Sequence, residues 1–117
     1  MKKDPKINVA FIWDCIELIE KYLKDATEAE FLGSPQLQDA TVRRIELIGE
    51  AVKNIPQPIK DKYPDIPWKQ IAGMRDILIH DYLGIDLKAT WKVAQIELPE
   101  LKKKMWKIKR DLEQQNA

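Results

Sequence analysis

Apolar residues recur every three or four positions along most of the chain, and no stretch keeps up the apolar–polar alternation of a strand. Asp4-Pro5 and Ser34-Pro35 each place a capping side chain before a proline, which is a common start of a helix. Helical stripes follow each start, formed by Ile12, Ile16, Ile19 and Leu23, and then by Thr41, Ile45, Ile48, Val52 and Ile55. The pattern predicts two long amphipathic helices, joined by the connector DATEAEFLGS with room for one short helical turn.

The second half of the chain predicts a third helix from about 67 to 82, ended by Gly84, and a fourth helix capped by Asp86. The preceding PQPIKDKYPDIP contains four prolines and is expected to be a loop, with a short turn near Lys60. Pro99 marks a break or kink, so the segments around it are two helices or one bent helix. A last amphipathic stripe is formed by Leu98, Leu101, Met105, Ile108 and Leu112. We expect an all-α, up-down bundle of four to five helices, in one domain spanning 1–117.

Composition places the chain among ordinary globular proteins, with 44% hydrophobic and 33% charged residues. No apolar run approaches the ~18 residues that a membrane span needs. The N-terminal stretch is basic, but acidic residues interrupt its apolar part and no small-residue cleavage site follows, so we expect no signal peptide and a cytoplasmic protein. The lone Cys15 predicts a small buried hydrophobe in a reducing compartment, with no disulfide and no cysteine metal site.

The stretch GMRDILIHDYLG stands out because polar groups interrupt a helix that is apolar on most sides. Asp76 precedes His80 by four residues, so a helix would bring the two side chains into contact, and the carboxylate would orient the imidazole. Arg75 falls within the apolar arc and needs a carboxylate partner, from Glu46 or Glu50, or a cleft that binds anions. On an ideal helix Arg75 and His80 lie ~140° apart. Joint action on one phosphate would need a bend near the helix end, long side chains reaching around, or a second subunit.

Spacing alone favours structural roles for these residues. His80 suits a helix C-terminus, Arg75 a structural ion pair and Tyr82 a core or interface ring. The basic run KKKMWKIKR is typical of a solvated face, in which Trp106 packs or, less expectedly, stacks on a base. The formal net charge of +1 excludes a polyanion-binding surface based on bulk charge, although it leaves room for a local basic patch. A single histidine with scattered carboxylates makes a poor metal site, so we expect no metal.

Arg75-x4-His80-x-Tyr82 resembles the R-x4-H-x-Y motif of the HEPN superfamily, specifically the HepT-like toxins. RRIELIGEAVKNIP resembles the second helix of that family, and the sequence from YPDIPW to LPELKK resembles its signature region almost continuously. The matching positions in that region include Trp68, Gly73, Asp86, Trp91 and Leu98-Pro99. The resemblance covers most of the chain and implies an HEPN-like, usually dimeric, metal-independent ribonuclease without a cofactor. It also implies a partner, an MntA-type nucleotidyltransferase that acts as antitoxin.

The resemblance implies that Arg75 and His80 are the catalytic pair, with Asp76 in a supporting position. RNA can be cut without a metal if its 2′-OH attacks the adjacent phosphorus, which would leave a 2′,3′-cyclic phosphate and a 5′-OH. A histidine, with an unperturbed pKa of ~6.5, is suited to move the protons, and an arginine is suited to bind the phosphate oxygens. In this family the antitoxin is thought to neutralise the toxin by AMP transfer to the motif tyrosine, here Tyr82.

Two other functions fit the same sequence. The chain could be a non-catalytic helical subunit of a two-component nucleotidyltransferase that binds a nucleotide or its partner, which the absence of strong positive charge favours. It could also be a purely structural bundle, in which replacing Arg75 would affect only stability. The intact Arg75/His80 pair favours the ribonuclease.

Overall fold

The computed structural model describes residues 4–80 and 84–115. Tyr82 therefore lies outside the described residues, and His80 is described only by its backbone. The helices are α1 (Pro5–Tyr22), α2 (Glu28–Leu32), α3 (Pro35–Lys53), α4 (Gln57–Lys62), α5 (Trp68–Ala72), α6 (Met74–Leu78), α7 (Leu87–Lys92), a π-helical segment (Val93–Glu97) and α8 (Leu98–Gln115). Two short strands, β1 (Ile79–His80) and β2 (Gly84–Ile85), pair antiparallel between α6 and α7.

Both predicted starts of the long helices are confirmed. The Asp4 carboxylate accepts a hydrogen bond from the backbone N–H of Lys6 (2.9 Å), and the Ser34 hydroxyl accepts one from that of Leu37 (3.2 Å). In each helix a proline occupies the first turn, where its missing N–H leaves no bond unmade. The connector contains the short helix α2, and the proline-rich loop contains α4, close to Lys60.

The core forms where α1 packs against both α3 and α8. The side chains that are almost fully enclosed come from all three helices and include Ile12, Ile16, Ile19, Ile45, Ile48, Val52, Met105 and Ile108. They are the apolar stripes of the sequence, so the expected all-α fold is confirmed. Cys15 is 1% exposed within this core, and burial raises the pKa of its thiol, as expected of a small buried hydrophobe.

The segments on either side of Pro99 form one continuous helix. The π-helical segment directly joins α7 to α8, and the backbone N–H of Leu98 donates to the carbonyl of Val93, five residues earlier. Pro99 has no N–H to donate, and its ring would crowd a regular α-helical turn before it. The wider π turn accommodates the proline, so of the two sequence alternatives the single helix is correct.

The prediction of one helix from 67 to 82 is wrong. Gly73 separates α5 from α6, and α6 ends at Leu78. In a continuing helix the carbonyl of Leu78 would accept from the N–H four residues later. It accepts instead from the backbone N–H of Asp86 (2.6 Å), and the chain beyond it turns into the β1–β2 pair. Within the described residues, the helices include none long and apolar enough to cross a membrane.

Candidate functional site

Arg75 is presented to solvent on α6 and is held on one side by α3. Its Nε lies 3.5 Å from Oε2 of Glu46, and 59% of its side chain is exposed, against 29% for Glu46. Of the two carboxylates expected as partners, Glu46 is therefore the correct one. Glu50 instead lies 3.4 Å from Nζ of Lys53 on its own helix. The expectation that Arg75 lies within an apolar arc is wrong, because the break at Gly73 ends the helical register on which it depended.

Close packing of α3 against α5 accompanies the Glu46–Arg75 contact. A Cβ atom on Gly49 would lie 3.2 Å from the carbonyl oxygen of Ala72 and 3.4 Å from that of Ile71. A residue without a side chain is therefore needed at Gly49, where the two helices meet. On α3 this point lies one turn after Glu46, and on α5 it lies at Ala72, three residues before Arg75. Sequence reasoning missed this residue. The available signal was a glycine inside a long helix. Glycine lowers helix stability there by about 1 kcal/mol relative to alanine, so its presence suggests a packing requirement.

His80 lies on β1 and not on a helix, and its Cα partner across the strand pair is Gly84. The helical i,i+4 geometry from which a contact with Asp76 was predicted is therefore absent, and the contact itself stays a prediction. Asp76 is exposed, and its backbone N–H donates to the carbonyl of Gly73 (3.0 Å). The ~140° separation of Arg75 and His80 also no longer applies, because it assumed a regular helix through both. Their convergence on one phosphate stays a prediction.

Asp86 directly follows β2 and links the β1–β2 pair to the helices on either side. Its backbone N–H bonds to the Leu78 carbonyl, and its carboxylate caps α7 by accepting from the N–H of Ala89 (3.0 Å). Its own carbonyl accepts from the hydroxyl of Thr90 (2.8 Å). One residue thus joins the end of α6 to the start of α7, which fixes both ends of the segment that carries His80.

The basic run of α8 is a solvated face in which four of the six cations, Lys102, Lys103, Lys109 and Arg110, have carboxylate neighbours. Nζ of Lys102 lies 2.7 Å from Oε1 of Glu20 on α1, and this contact is the main cause of the raised pKa of Lys102. Trp106 is 51% exposed, so it does not pack into the core, and the Arg110 guanidinium lies 4.8 Å from its ring centroid. Most of the positive charge of the run therefore lies beside carboxylates.

Residues 4–80 and 84–115 contain no group of three or more His, Cys, Asp or Glu side chains placed to hold a metal ion.

Comparison with known proteins gives a consistent result. The family described as Ribonuclease HepT-like matches residues 12–108. A protein of Methanocaldococcus jannaschii named "gamma-glutamylcyclotransferase and putative RNase" is 52% identical over 97% of this chain, which spans only 51% of that relative's length. A "putative RNase" of the same organism is 44% identical over 97% of both chains. A "probable ribonuclease HepT" of Thermococcus cleftensis is 41% identical over 94% of this chain and its own full length. No solved structure shows significant similarity to the chain.

Proposed function

The chain belongs to the HepT-like ribonuclease family, and from this premise we propose that it is a metal-independent endoribonuclease, the toxin of a toxin–antitoxin pair. The observation that carries the proposal is the family match over residues 12–108, because that range includes Arg75, His80 and Tyr82 in R-x4-H-x-Y order. Relatives named as ribonucleases or as HepT, aligned over nearly the whole chain, support an RNA substrate. We propose that the chain forms one domain and acts in the cytoplasm.

Arg75 binds the phosphate in this proposal. Its side chain is 59% exposed and is contacted by Glu46 at Nε. A guanidinium has further N–H donors on its two terminal nitrogens, and these match two phosphate oxygens. Negative charge grows on those oxygens as the 2′-OH attacks the phosphorus, so a fixed cation lowers the barrier.

His80 moves the protons. Its imidazole takes the proton of the 2′-OH or gives one to the leaving 5′-oxygen, and no metal or cofactor is required. The β1–β2 pair supports this role, because it ties the backbone of His80 to Gly84 directly after α6. In a homodimer, two copies of His80 would divide the acid and base roles across one groove.

RNA cleavage in the presence of EDTA tests the proposal. The wild-type protein should cut RNA and leave 2′,3′-cyclic phosphate ends, while His80→Ala should lose nearly all activity. A substrate with a 2′-deoxy residue at the cut site should resist cleavage, because it lacks the nucleophile. If wild type and His80→Ala cut equally, or if neither cuts, the proposal is contradicted and the alternative, a non-catalytic binding subunit of a two-component nucleotidyltransferase, is supported.

Tyr82 is the proposed site of neutralisation. An MntA-type nucleotidyltransferase would transfer AMP from ATP to its hydroxyl, which loses its proton as pyrophosphate leaves, and so add bulk and negative charge near the catalytic segment. Incubation with that enzyme and ATP should add the mass of AMP to the wild-type chain and abolish cleavage. Tyr82→Phe should gain no mass and stay active. A mass gain at another residue would contradict this part of the proposal.

A further inference from the structure

The structure assigns a positioning role to Glu46: we propose that its carboxylate holds the Arg75 guanidinium at Nε so that the outer edge faces the RNA phosphate. The inference deepens the proposed function and rests on it. Glu46 was expected only as a counter-charge for a buried arginine. Arg75 is not buried, so a counter-charge is not needed to keep it in the fold.

The contact involves the inner part of the guanidinium. Oε2 of Glu46 lies 3.5 Å from Nε of Arg75, and Nε is the nitrogen nearest the side-chain stem. A carboxylate at this place limits rotation of the planar group while leaving donors on the terminal nitrogens for a second anion. The 59% exposure of Arg75 leaves space for that anion on the solvent side.

The backbone on both sides of the contact is held in place. α3 packs against both α5 and α6, and a Cβ atom on Gly49 would lie 3.2 Å from the Ala72 carbonyl oxygen. Glu46 lies one turn before Gly49 on α3, and Arg75 lies just after Ala72, so the two side chains extend from the same helix contact. Glu46 is also the more enclosed partner, at 29% exposed, which suits the member of the pair that orients the other.

Glu46→Gln is the informative substitution, because it keeps the shape and removes the charge. Glu50→Gln is the matched control: it makes the same change one turn further along α3, at a side chain that is 68% exposed and paired with Lys53. We expect Glu46→Gln to lower kcat for RNA cleavage roughly tenfold with KM changed less than about threefold, because misplacing a catalytic group by 1 Å can cost up to about a hundredfold. Glu50→Gln should match wild type in kcat, and both variants should unfold at the wild-type midpoint within about 2 °C, as exposed pairs contribute little stability.

A double-mutant cycle separates positioning from a general structural effect. In an Arg75→Gln background, measured by single turnover at high enzyme concentration, Glu46→Gln should cause no further loss, because nothing is left to position. An equal loss in both backgrounds would overturn the inference. A Glu46→Gln variant that cleaves as fast as Glu50→Gln would also overturn it. Cleavage faster than wild type would do so too, because it would mean that Glu46 competes with the phosphate for Arg75.

Cleavage by the wild-type protein distinguishes failure of this inference from failure of the proposed function. If the wild-type protein cleaves no RNA, the ribonuclease proposal is wrong and the role of Glu46 is wrong with it. If wild type cleaves and Glu46→Gln behaves as Glu50→Gln does, only the role of Glu46 is wrong.

Discussion

Gly49→Ala tests whether the approach of α3 to α5 sets the geometry around Arg75. The added methyl group would lie 3.2 Å from the carbonyl oxygen of Ala72 and 3.4 Å from that of Ile71. The first distance is shorter than an ordinary van der Waals contact. Both oxygens belong to the backbone, so neither can rotate away as the end of a flexible side chain would. The methyl group must therefore push α3 and α5 apart.

Two opposing effects determine the stability of this variant. Alanine in place of glycine inside a helix contributes about 1 kcal/mol of stability. Overpacking a close contact costs about 1–3 kcal/mol. Because the contacted atoms are backbone, we expect overpacking to win by about 1 kcal/mol, which lowers the unfolding midpoint by about 4 °C for a chain of this size. Cleavage should fall as well, since separating the helices moves Glu46 away from Arg75.

Thermal unfolding followed by circular dichroism measures the effect, with Gly33→Ala as the matched control. A Cβ atom on Gly33 would meet its nearest neighbour, the carbonyl oxygen of Ala29, at 3.5 Å, an ordinary contact. Gly33→Ala should therefore be neutral or up to about 1 kcal/mol more stable than wild type, through the less flexible unfolded chain. If Gly49→Ala is stabilised as much as Gly33→Ala, the argument for a tight α3–α5 contact is refuted.

Three further predictions concern the stability and ionisation of the fold. Asp86→Ala should lose the N-cap of α7 and about 1 kcal/mol of stability, whereas Asp86→Asn should keep most of it; equal urea midpoints for the two variants would contradict this. The Tyr63 hydroxyl donates to Asp111 (2.7 Å), and burial, together with this bond, raises the pKa of Tyr63 to about 12. Because the folded state holds the proton more tightly than the unfolded state, the neutral Tyr63 should stabilise the fold below pH ~10, and this contribution should disappear as the pH rises towards 12. Alkaline absorbance titration should show a late-ionising tyrosine that Tyr63→Phe lacks, and the absence of that late step from wild type would refute the assignment. Burial raises the pKa of the Cys15 thiol, so a thiol reagent at pH 8 should label it only after denaturation; rapid labelling of the native protein would show that the core opens readily.

Local signals account for the parts of the fold that could be predicted. The caps at Asp4, Ser34 and Asp86 each require only a side chain and a backbone N–H two or three residues later, so a short window of sequence contains everything needed. The core stripes of the long helices are equally readable, because burial follows the period of the helix. At Pro99 the sequence predicted only a break or kink, and not the π turn that precedes the proline. A proline shows where a regular helix is disturbed, but not how the chain accommodates it.

The candidate site was predictable in identity but not in geometry. The motif residues Arg75, His80 and Tyr82 and the family can be recognised from the sequence. Ideal helical spacing nevertheless predicted Arg75 within an apolar arc and His80 beside Asp76. Both predictions assumed one unbroken helix, which the structure does not have. The helix is interrupted first at Gly73, before Arg75, and again after Leu78, before His80. The second interruption is accompanied by a hydrogen bond between Leu78 and Asp86, eight residues apart, which no helical period predicts.

The sequence by itself determined the all-α class, the helix starts, the core stripes and the family, since each depends on residue types at short or regular spacing. The tertiary structure alone decided that Glu46, and not Glu50, contacts Arg75, that α3 and α5 meet at Gly49, and that His80 lies on a strand. These facts depend on how separate elements approach one another. That approach is set by packing between residues distant in the chain, which local spacing does not specify.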